Sequence, residues 1–381
     1  MLQESPSPIW ISDNTDLAKY CQHWSQLGKI ALDTEFIRTD TYYPIPGLIQ
    51  IGIENNEIFL VDPLTIDQWQ PLKELLENPA ILKVIHACSE DLEVIELLTG
   101  ARLNPIFDTQ LAAAYAGIGY SLGYQKLVKQ LLGIELPKDE TRSNWCQRPL
   151  TEAQQHYATL DVLHLLTIHS ILNKELEKNT TKAWLEDDCN QMKSSIYSNN
   201  AEDAWKEVKC AWQLYPQQLA VLKSLCIYRE NKARQRNLPR NRVIPKGSLW
   251  PMARYQPDNL KSLSAIQDMR KSIIKRDGQR LLTLIKTASQ SPREYHPRPL
   301  PRPLPKKTRI YGKAIKEFLN TMANQLNLPV EILLPSKTTS PILRNWLETG
   351  QFALPEALQG WRREVIGIPL IKKLNTLIET P

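Results

Sequence analysis

A chain of 381 residues that is 42% hydrophobic and 23% charged is long enough for two or three domains, each with its own core. It holds no run of eighteen apolar residues, and residues 1–16 lack the basic start and apolar stretch of an export signal, so the expectation is a soluble, cytoplasmic protein without a membrane partner. The six cysteines (Cys21, Cys88, Cys146, Cys189, Cys210, Cys226) are scattered, with neither a Cys-x-x-Cys pair nor a histidine cluster beside them, which argues for reduced thiols and against a zinc site.

The net charge of +6 conceals an asymmetry. Residues 1–190 hold 14 Lys and Arg against 27 Asp and Glu, a balance of −13, whereas residues 191–381 hold 33 against 14, a balance of +19. A basic half attracts polyanions through phosphate contacts and counterion release. An acidic half meets phosphate only where metal ions or focused cations intervene. The two halves therefore have separate tasks.

In chain order, residues 14–28 show helical spacing of Leu17, Tyr20, Cys21 and Trp24. Residues 29–36 follow as a strand ending in Ala31-Leu32-Asp33-Thr34-Glu35-Phe36. Side chains at i and i+2 of a strand leave the same face, so Asp33 and Glu35 project together. Two acids at the end of a buried strand are costly unless a cation lies between them, and a divalent metal ion is the natural candidate. The alternative is a strand end whose acids face water. Residues 47–53 and 57–61 read as two more strands around Glu54-Asn55-Asn56, which suggests an antiparallel meander.

Residues 69–77 form an amphipathic helix stopped at Asn78-Pro79, and Lys83-Val84-Ile85-His86 is a short buried strand. Ser89, ahead of Glu90 and Asp91, reads as the N-cap of a helix carried on Leu92, Ile95 and Leu98. A fifth strand over 105–109 and helices over 110–117 and 121–132 complete an α/β domain, a mixed sheet with helices on both faces. Thr151 then caps a helix with Leu160, Val162, Leu163, Leu165 and Leu166 on its buried side. Tyr157 and Asp161 share a face of that helix, and a carboxylate among leucines is costly without a ligand; the alternative is an ordinary solvated helix face.

Beyond residue 190 the chain changes to helices with basic connections. Residues 214–229 are amphipathic, and residues 229–246 contain seven Lys or Arg and one acid. Residues 291–307 interleave six prolines with Arg293, Arg298, Arg302, Lys306 and Lys307, an extended linker. A further helical unit spans about 311–378.

Three stretches together carry a family resemblance. Asp33-Thr34-Glu35-Phe36, then His86-Ala87-Cys88-Ser89-Glu90-Asp91, then Arg148-Pro149-Leu150-Thr151 leading to Tyr157 and Asp161, resemble the three motifs of the DEDDy exonucleases. Over its full length the chain resembles the ribonuclease D family, with Cys88 standing where a smaller residue such as glycine is expected. Tyr228-Arg229, Pro239, Val243, Leu249, Pro257 and Gly278 resemble an HRDC domain, and Leu354-Pro355 with Gly360-Trp361-Arg362 a second, degenerate one. No Gly-x-x-x-x-Gly-Lys-Ser/Thr occurs, which excludes an HRDC domain attached to a helicase motor.

The resemblance implies a ribonuclease H-like 3′→5′ exonuclease domain over 1–190, an HRDC domain over 205–290, a Pro-rich basic linker over 291–307 and a second HRDC-like domain over 308–378. It also implies two divalent ions, Mg2+ or Mn2+, held by Asp33, Glu35, Asp91 and Asp161. By similarity Asp33 bridges both ions, Glu35 and Asp161 complete the site that activates water, Asp91 acts mainly through the second ion, and Tyr157 orients the attacking water. Phe36 is either a core residue or packs on the terminal nucleotide. Gln50 and His86 are either satisfied sheet residues or substrate contacts. The expected activity is two-metal hydrolysis of RNA from its 3′ end, tRNA precursors foremost, releasing nucleoside 5′-monophosphates, with RNA the partner and no obligate protein partner. A DNA exonuclease of the Werner or proofreading type and a catalytically silent RNA-binding protein are the alternatives.

Overall fold

The apolar runs of the first 110 residues close into one sheet in the computed structural model, which describes residues 6–137, 143–198 and 201–379. In chain order the elements are β1 (Ile9–Ile11), α1 (Asn14–Trp24), β2 (Lys29–Ile37), β3 (Ile45–Gly52), β4 (Ile58–Val61), α2 (Gln70–Glu77), β5 (Leu82–Ile85), α3 (Ser89–Thr99) and β6 (Ile106–Asp108). Four helices follow before the next change of character: α4 (Thr109–Tyr115), α5 (Tyr124–Leu132), α6 (Glu152–Leu163) and α7 (Leu165–Asn179), with α8 (Lys182–Ser198) after them.

The strand order is β1-β4-β3-β2-β5-β6. β3 pairs antiparallel with β4, while β2 with β5, β5 with β6, and β1 with β4 run parallel, so the sheet is mixed as expected. The consecutive strands β2, β3 and β4 are neighbours, the arrangement that their short connections favour. β1 went unrecognised in the sequence because three residues are too few to show a period.

Two local expectations are corrected. Ser89 is the first helical residue of α3 and not its cap; Cys88 occupies the cap position and makes no side-chain cap bond. The bonds at this turn come instead from Asp108, whose carboxylate accepts from Ala87 N at 3.2 Å and Cys88 N at 3.0 Å. The helix read from Thr151 onward is also broken, with His164 separating α6 from α7. Its start is as expected, for Thr151 forms a capping box with Gln154.

Two compact units result: one from the residues up to 37, 46–197 and from 304 onward, the other from 38–45 and 198–303. The first includes the terminal helices α14 (Arg309–Leu326), α15 (Val330–Leu333), α16 (Thr339–Thr349), α17 (Gly360–Arg362) and α18 (Ile368–Glu379), numbered after the five helices of the second unit. These helices share one continuous apolar core with the sheet. Trp361 stacks on Trp184 with centroids 4.4 Å apart at 9°. Arg362, almost fully buried, pairs with Asp188 and donates to Ile332 O at 2.8 Å, and the Tyr115 hydroxyl donates to Asp188 at 2.6 Å. A buried pair of this kind costs about 3–5 kcal/mol to break by removing one partner. The terminal helices are thus an integral part of the unit that carries the sheet.

The second unit packs α9 (Pro216–Arg236), α10 (Arg240–Val243), α11 (Lys246–Tyr255), α12 (Leu260–Ser264) and α13 (Lys271–Ser289) around Leu222, Leu225, Val243, Leu249, Met252 and Leu281. Segment 38–45 is part of this core through Tyr42. The Tyr42 hydroxyl bonds the buried carboxylate of Glu230, which Arg240 and Arg234 also reach at 2.6 and 3.0 Å. Asn237, in the left-handed cap conformation that ends α9, accepts from Tyr42 N at 3.1 Å and Tyr43 N at 3.0 Å. Arg236 pairs with the buried Asp277 at 2.8 Å, and Arg242 with Asp40 at 3.0 Å. Much of the basic run 229–246 is therefore occupied within the fold. The cations exposed without an acidic partner among the described residues include Lys246, Lys261, Lys271 and Lys275.

Candidate active site

Strand β2 supplies the first two acids, and α6 is laid across the face that bears them. A Cβ at Gly52 on β3 would lie 3.3 Å from Ala31 Cβ and 3.3 Å from Val162 O. The absence of a side chain at Gly52 eases this close approach of strand and helix, and α6 lies over the side of β2 that carries Ala31, Asp33 and Glu35. Gly47 serves the neighbouring segment in the same way, since a Cβ there would meet Trp145 Cβ at 2.6 Å.

The consequence is a convergence of acids. One carboxylate oxygen each from Asp33, Glu35 and Asp161 lie within 4.8 Å of one another. Asp91 arrives in the first turn of α3, where the helix dipole favours a negative charge, and the Thr34 hydroxyl donates to its Oδ1 at 2.5 Å. Because β2 and β5 run parallel in register, α3, which follows β5, begins at the end of the sheet where β2 delivers its acids.

The electrostatics record the cost. Burial, then the charges of Asp91, Asp161 and Glu35, push the Asp33 carboxyl well above its ordinary range. Burial followed by Asp161 and Asp91 lifts Glu35 to about 9. Burial lifts Asp161 to about 7 against the pull of a hydrogen bond from Tyr157, and lifts Asp91 to about 6 against the bond from Thr34. Tyr157 is held above its usual range by burial and then by Asp161, Glu35 and Asp33, so its phenol stays protonated. No Lys or Arg pairs with these four acids among the described residues. Hard carboxylate oxygens that converge fit a divalent cation such as Mg2+ or Mn2+.

The remaining sequence candidates lie apart from this cluster or beside it. Gln50 on β3 is fully buried, and neither polar atom of its amide has a partner among the described residues. Phe36 is half-buried and belongs to neither apolar core. His86 is engaged, with its Nδ1 2.9 Å from Thr109 Oγ1 and its ring edge-on to Tyr124 at 5.6 Å.

Asp108 is the residue that sequence reasoning missed. It ends β6, caps α4 by accepting from Gln110 N at 2.8 Å and Leu111 N at 3.2 Å, and holds the turn before α3. That turn includes Ala87 at φ 56°, a conformation unfavourable for alanine that the Asp108 bond sustains. An Asp-Thr pair closing an apolar strand was the available signal, one that announces a cap but not the second turn it also holds.

Comparison with known proteins agrees with this geometry. A family described as 3′-5′ exonuclease matches residues 8–177, and the HRDC domain family matches residues 218–285. The chain is 44% identical over 377 residues to ribonuclease D of Pseudomonas paraeruginosa, which covers 99% of this chain and 100% of that protein. It is 38% identical over 363 residues to ribonuclease D of Escherichia coli, covering 93% and 95% of the two. The crystal structure of Escherichia coli RNase D, an exoribonuclease involved in structured RNA processing, superposes with a TM-score of 0.89 at 37% identity, over 99% of this chain and 100% of that one. With relatives matching from end to end, the chain belongs to the ribonuclease D family of 3′→5′ exoribonucleases.

Proposed function

We propose that this protein trims unpaired 3′ ends of structured RNA, tRNA precursors foremost, by two-metal hydrolysis that releases nucleoside 5′-monophosphates. The observation that carries the reading is the convergence of Asp33, Glu35 and Asp161, with Asp91 within their electrostatic reach. A pair of divalent ions, when bound, supplies Lewis acidity to the phosphate and lowers the pKa of water.

The chain's own groups do the rest. Asp33 is central, since the charges of the other three acids all bear on it, and it would be a ligand to the ions. Glu35 and Asp161 would hold the ions with it, and so would Asp91, whose carboxylate accepts from the Thr34 hydroxyl. Tyr157 stays protonated and aims a water through its hydroxyl without removing the proton from it, because a phenol held above its ordinary range is no base at neutral pH. Phe36, half-buried and outside both cores, is suited to stack on the terminal nucleotide, and Gln50, whose amide has no partner among the described residues, to hydrogen-bond substrate. The exposed cations of the second unit are suited to phosphate contacts along the RNA body.

The test compares a tRNA carrying an extended 3′ tail with a DNA oligonucleotide matched to that tail. Shortening of the RNA tail with 5′-monophosphates as product, abolished by EDTA and restored by Mg2+ or Mn2+, is expected. Turnover that persists in EDTA would contradict the metal reading, and preferential degradation of the DNA would contradict the choice of substrate.

A further inference from the structure

Helices α6 and α7 run on from one another with a single interruption at His164, one turn beyond Asp161. In an unbroken helix His164 N–H donates to Leu160 C=O. Here the hydroxyl of Tyr124, the first residue of α5, stands between them. It donates to Leu160 O at 3.0 Å and accepts from His164 N at 3.2 Å, a backbone N–H that also leans toward Val162 O. One phenol thus satisfies two backbone groups released by the break, and a side chain inserted into the helical ladder is a recognised cause of a kink.

The phenol is itself held in place. Gln110 Nε2 donates to Leu122 O at 3.0 Å and secures the loop before α5. The ring lies edge-on to His86 with centroids 5.6 Å apart. Thr109 Oγ1 lies 2.9 Å from His86 Nδ1 and 3.2 Å from Ile85 O, so the histidine ring and the end of β5 are tied to the start of α4. The end of β5 and the start of α4 therefore clamp Tyr124, and Tyr124 clamps the helix break. Its position near the acids is independent of these bonds: burial, then the charge of Asp161, and further down that of Asp33, keep the phenol protonated.

We propose that Tyr124 is a positioning residue of the nuclease site: its hydroxyl, inserted between Leu160 O and His164 N, sets the direction in which the last turn of α6 presents Asp161 to Asp33 and Glu35. The proposal rests on the nuclease reading above. A tyrosine that merely capped an exposed helix end would affect stability alone. This one joins the break to the turn that carries two of the five candidate site residues, so its removal is felt at the metal ligands.

Tyr124→Phe removes the hydroxyl and keeps the ring, and it frees Leu160 O and His164 N to bond each other. The thermal midpoint should stay within a few degrees of wild type. Titration calorimetry should show Mn2+ binding weakened roughly tenfold, the scale for losing a group that orients a metal ligand. On the extended RNA tail kcat should fall roughly 10- to 100-fold with KM changed less than about threefold, as expected when reacting groups are misdirected by an ångström or less. In an Asp161→Asn background the same change should weaken Mn2+ binding less than about twofold, because the group it directs is already gone.

Wild-type Mn2+ affinity and kcat in Tyr124→Phe would overturn the proposal. So would a fall in activity that only follows a fall in thermal midpoint, or full additivity with Asp161→Asn. A wild-type protein that takes up no Mn2+ would overturn the nuclease reading first and this inference with it.

Discussion

Asp33→Asn is expected to lower the rate of RNA shortening roughly 10^3-fold or more, while the thermal midpoint of the metal-free protein stays equal to wild type or rises. The reason lies in the position of Asp33 at the centre of the acids. Its carboxyl is driven up by burial and by all three other acids, so it is the group whose charge is most costly in the free protein, and it would be a ligand to the ions. Substitution by the isosteric amide removes that anionic ligand, and losing about 4 kcal/mol of stabilisation from a bound cation gives about three orders of magnitude in rate. The same substitution relieves repulsion in the metal-free state. Loss of activity with gain or retention of stability separates a functional acid from a structural one. A variant that cleaves at the wild-type rate, or one that loses activity only by unfolding, would contradict the assignment.

The second large effect is a metal-dependent stability that grows with pH. The four acids have folded values raised above the unfolded ones, so the folded chain keeps protons that the unfolded chain has released. Stability arising from that protonation is fully present below about pH 4 and is lost as pH rises through the folded values of about 6 for Asp91, about 7 for Asp161 and about 9 for Glu35. Below that range protons occupy the cluster and compete with cations; above it the cluster is a group of like charges whose repulsion a divalent ion relieves. At pH 8, Mg2+ at about 100 times its Kd should raise the thermal midpoint by roughly 5–10 °C, and at pH 5 by close to nothing.

Reading the difference with and without Mg2+ removes the contribution of groups elsewhere that titrate in the opposite sense. Lys83 and His169 are two such groups, both held below their ordinary values first by burial. A shift of equal size at both pH values, or one larger at pH 5, would contradict the cluster as its source. Differential scanning fluorimetry across pH 5–9 suffices.

The parts of the site that are legible in the sequence are those set by local periodicity. Asp33 and Glu35 are readable because a strand repeats every two residues, and Tyr157 and Asp161 because a helix brings i and i+4 together. Asp91 is one acid among several in its segment, and its membership came from the resemblance. Asp108 and Tyr124 act on backbone of other elements: Asp108 caps the turn before α3 as well as its own helix, and Tyr124 enters a helix some forty residues onward in the chain. Groups that act in this way leave no period and no spacing to read.

The same limit governs the basic half. The run 229–246 reads as a surface for phosphate, yet Arg234 and Arg240 serve the buried Glu230, and Arg236 serves Asp277. Their partners lie as near as one turn and as far as 41 residues away. Charge counts capture the net imbalance but not which cations are already committed. In the terminal helices, the apolar spacing announces a bundle correctly. What it does not announce is that Trp361 and Arg362 face Trp184 and Asp188 of the unit that carries the sheet.

Anomalous diffraction from a crystal soaked in Mn2+ is the most direct measurement. Two peaks roughly 3.5–4 Å apart, enclosed by the carboxylates of Asp33, Glu35, Asp91 and Asp161, are what the account predicts. Carboxylates that stand apart with no anomalous density between them would contradict it.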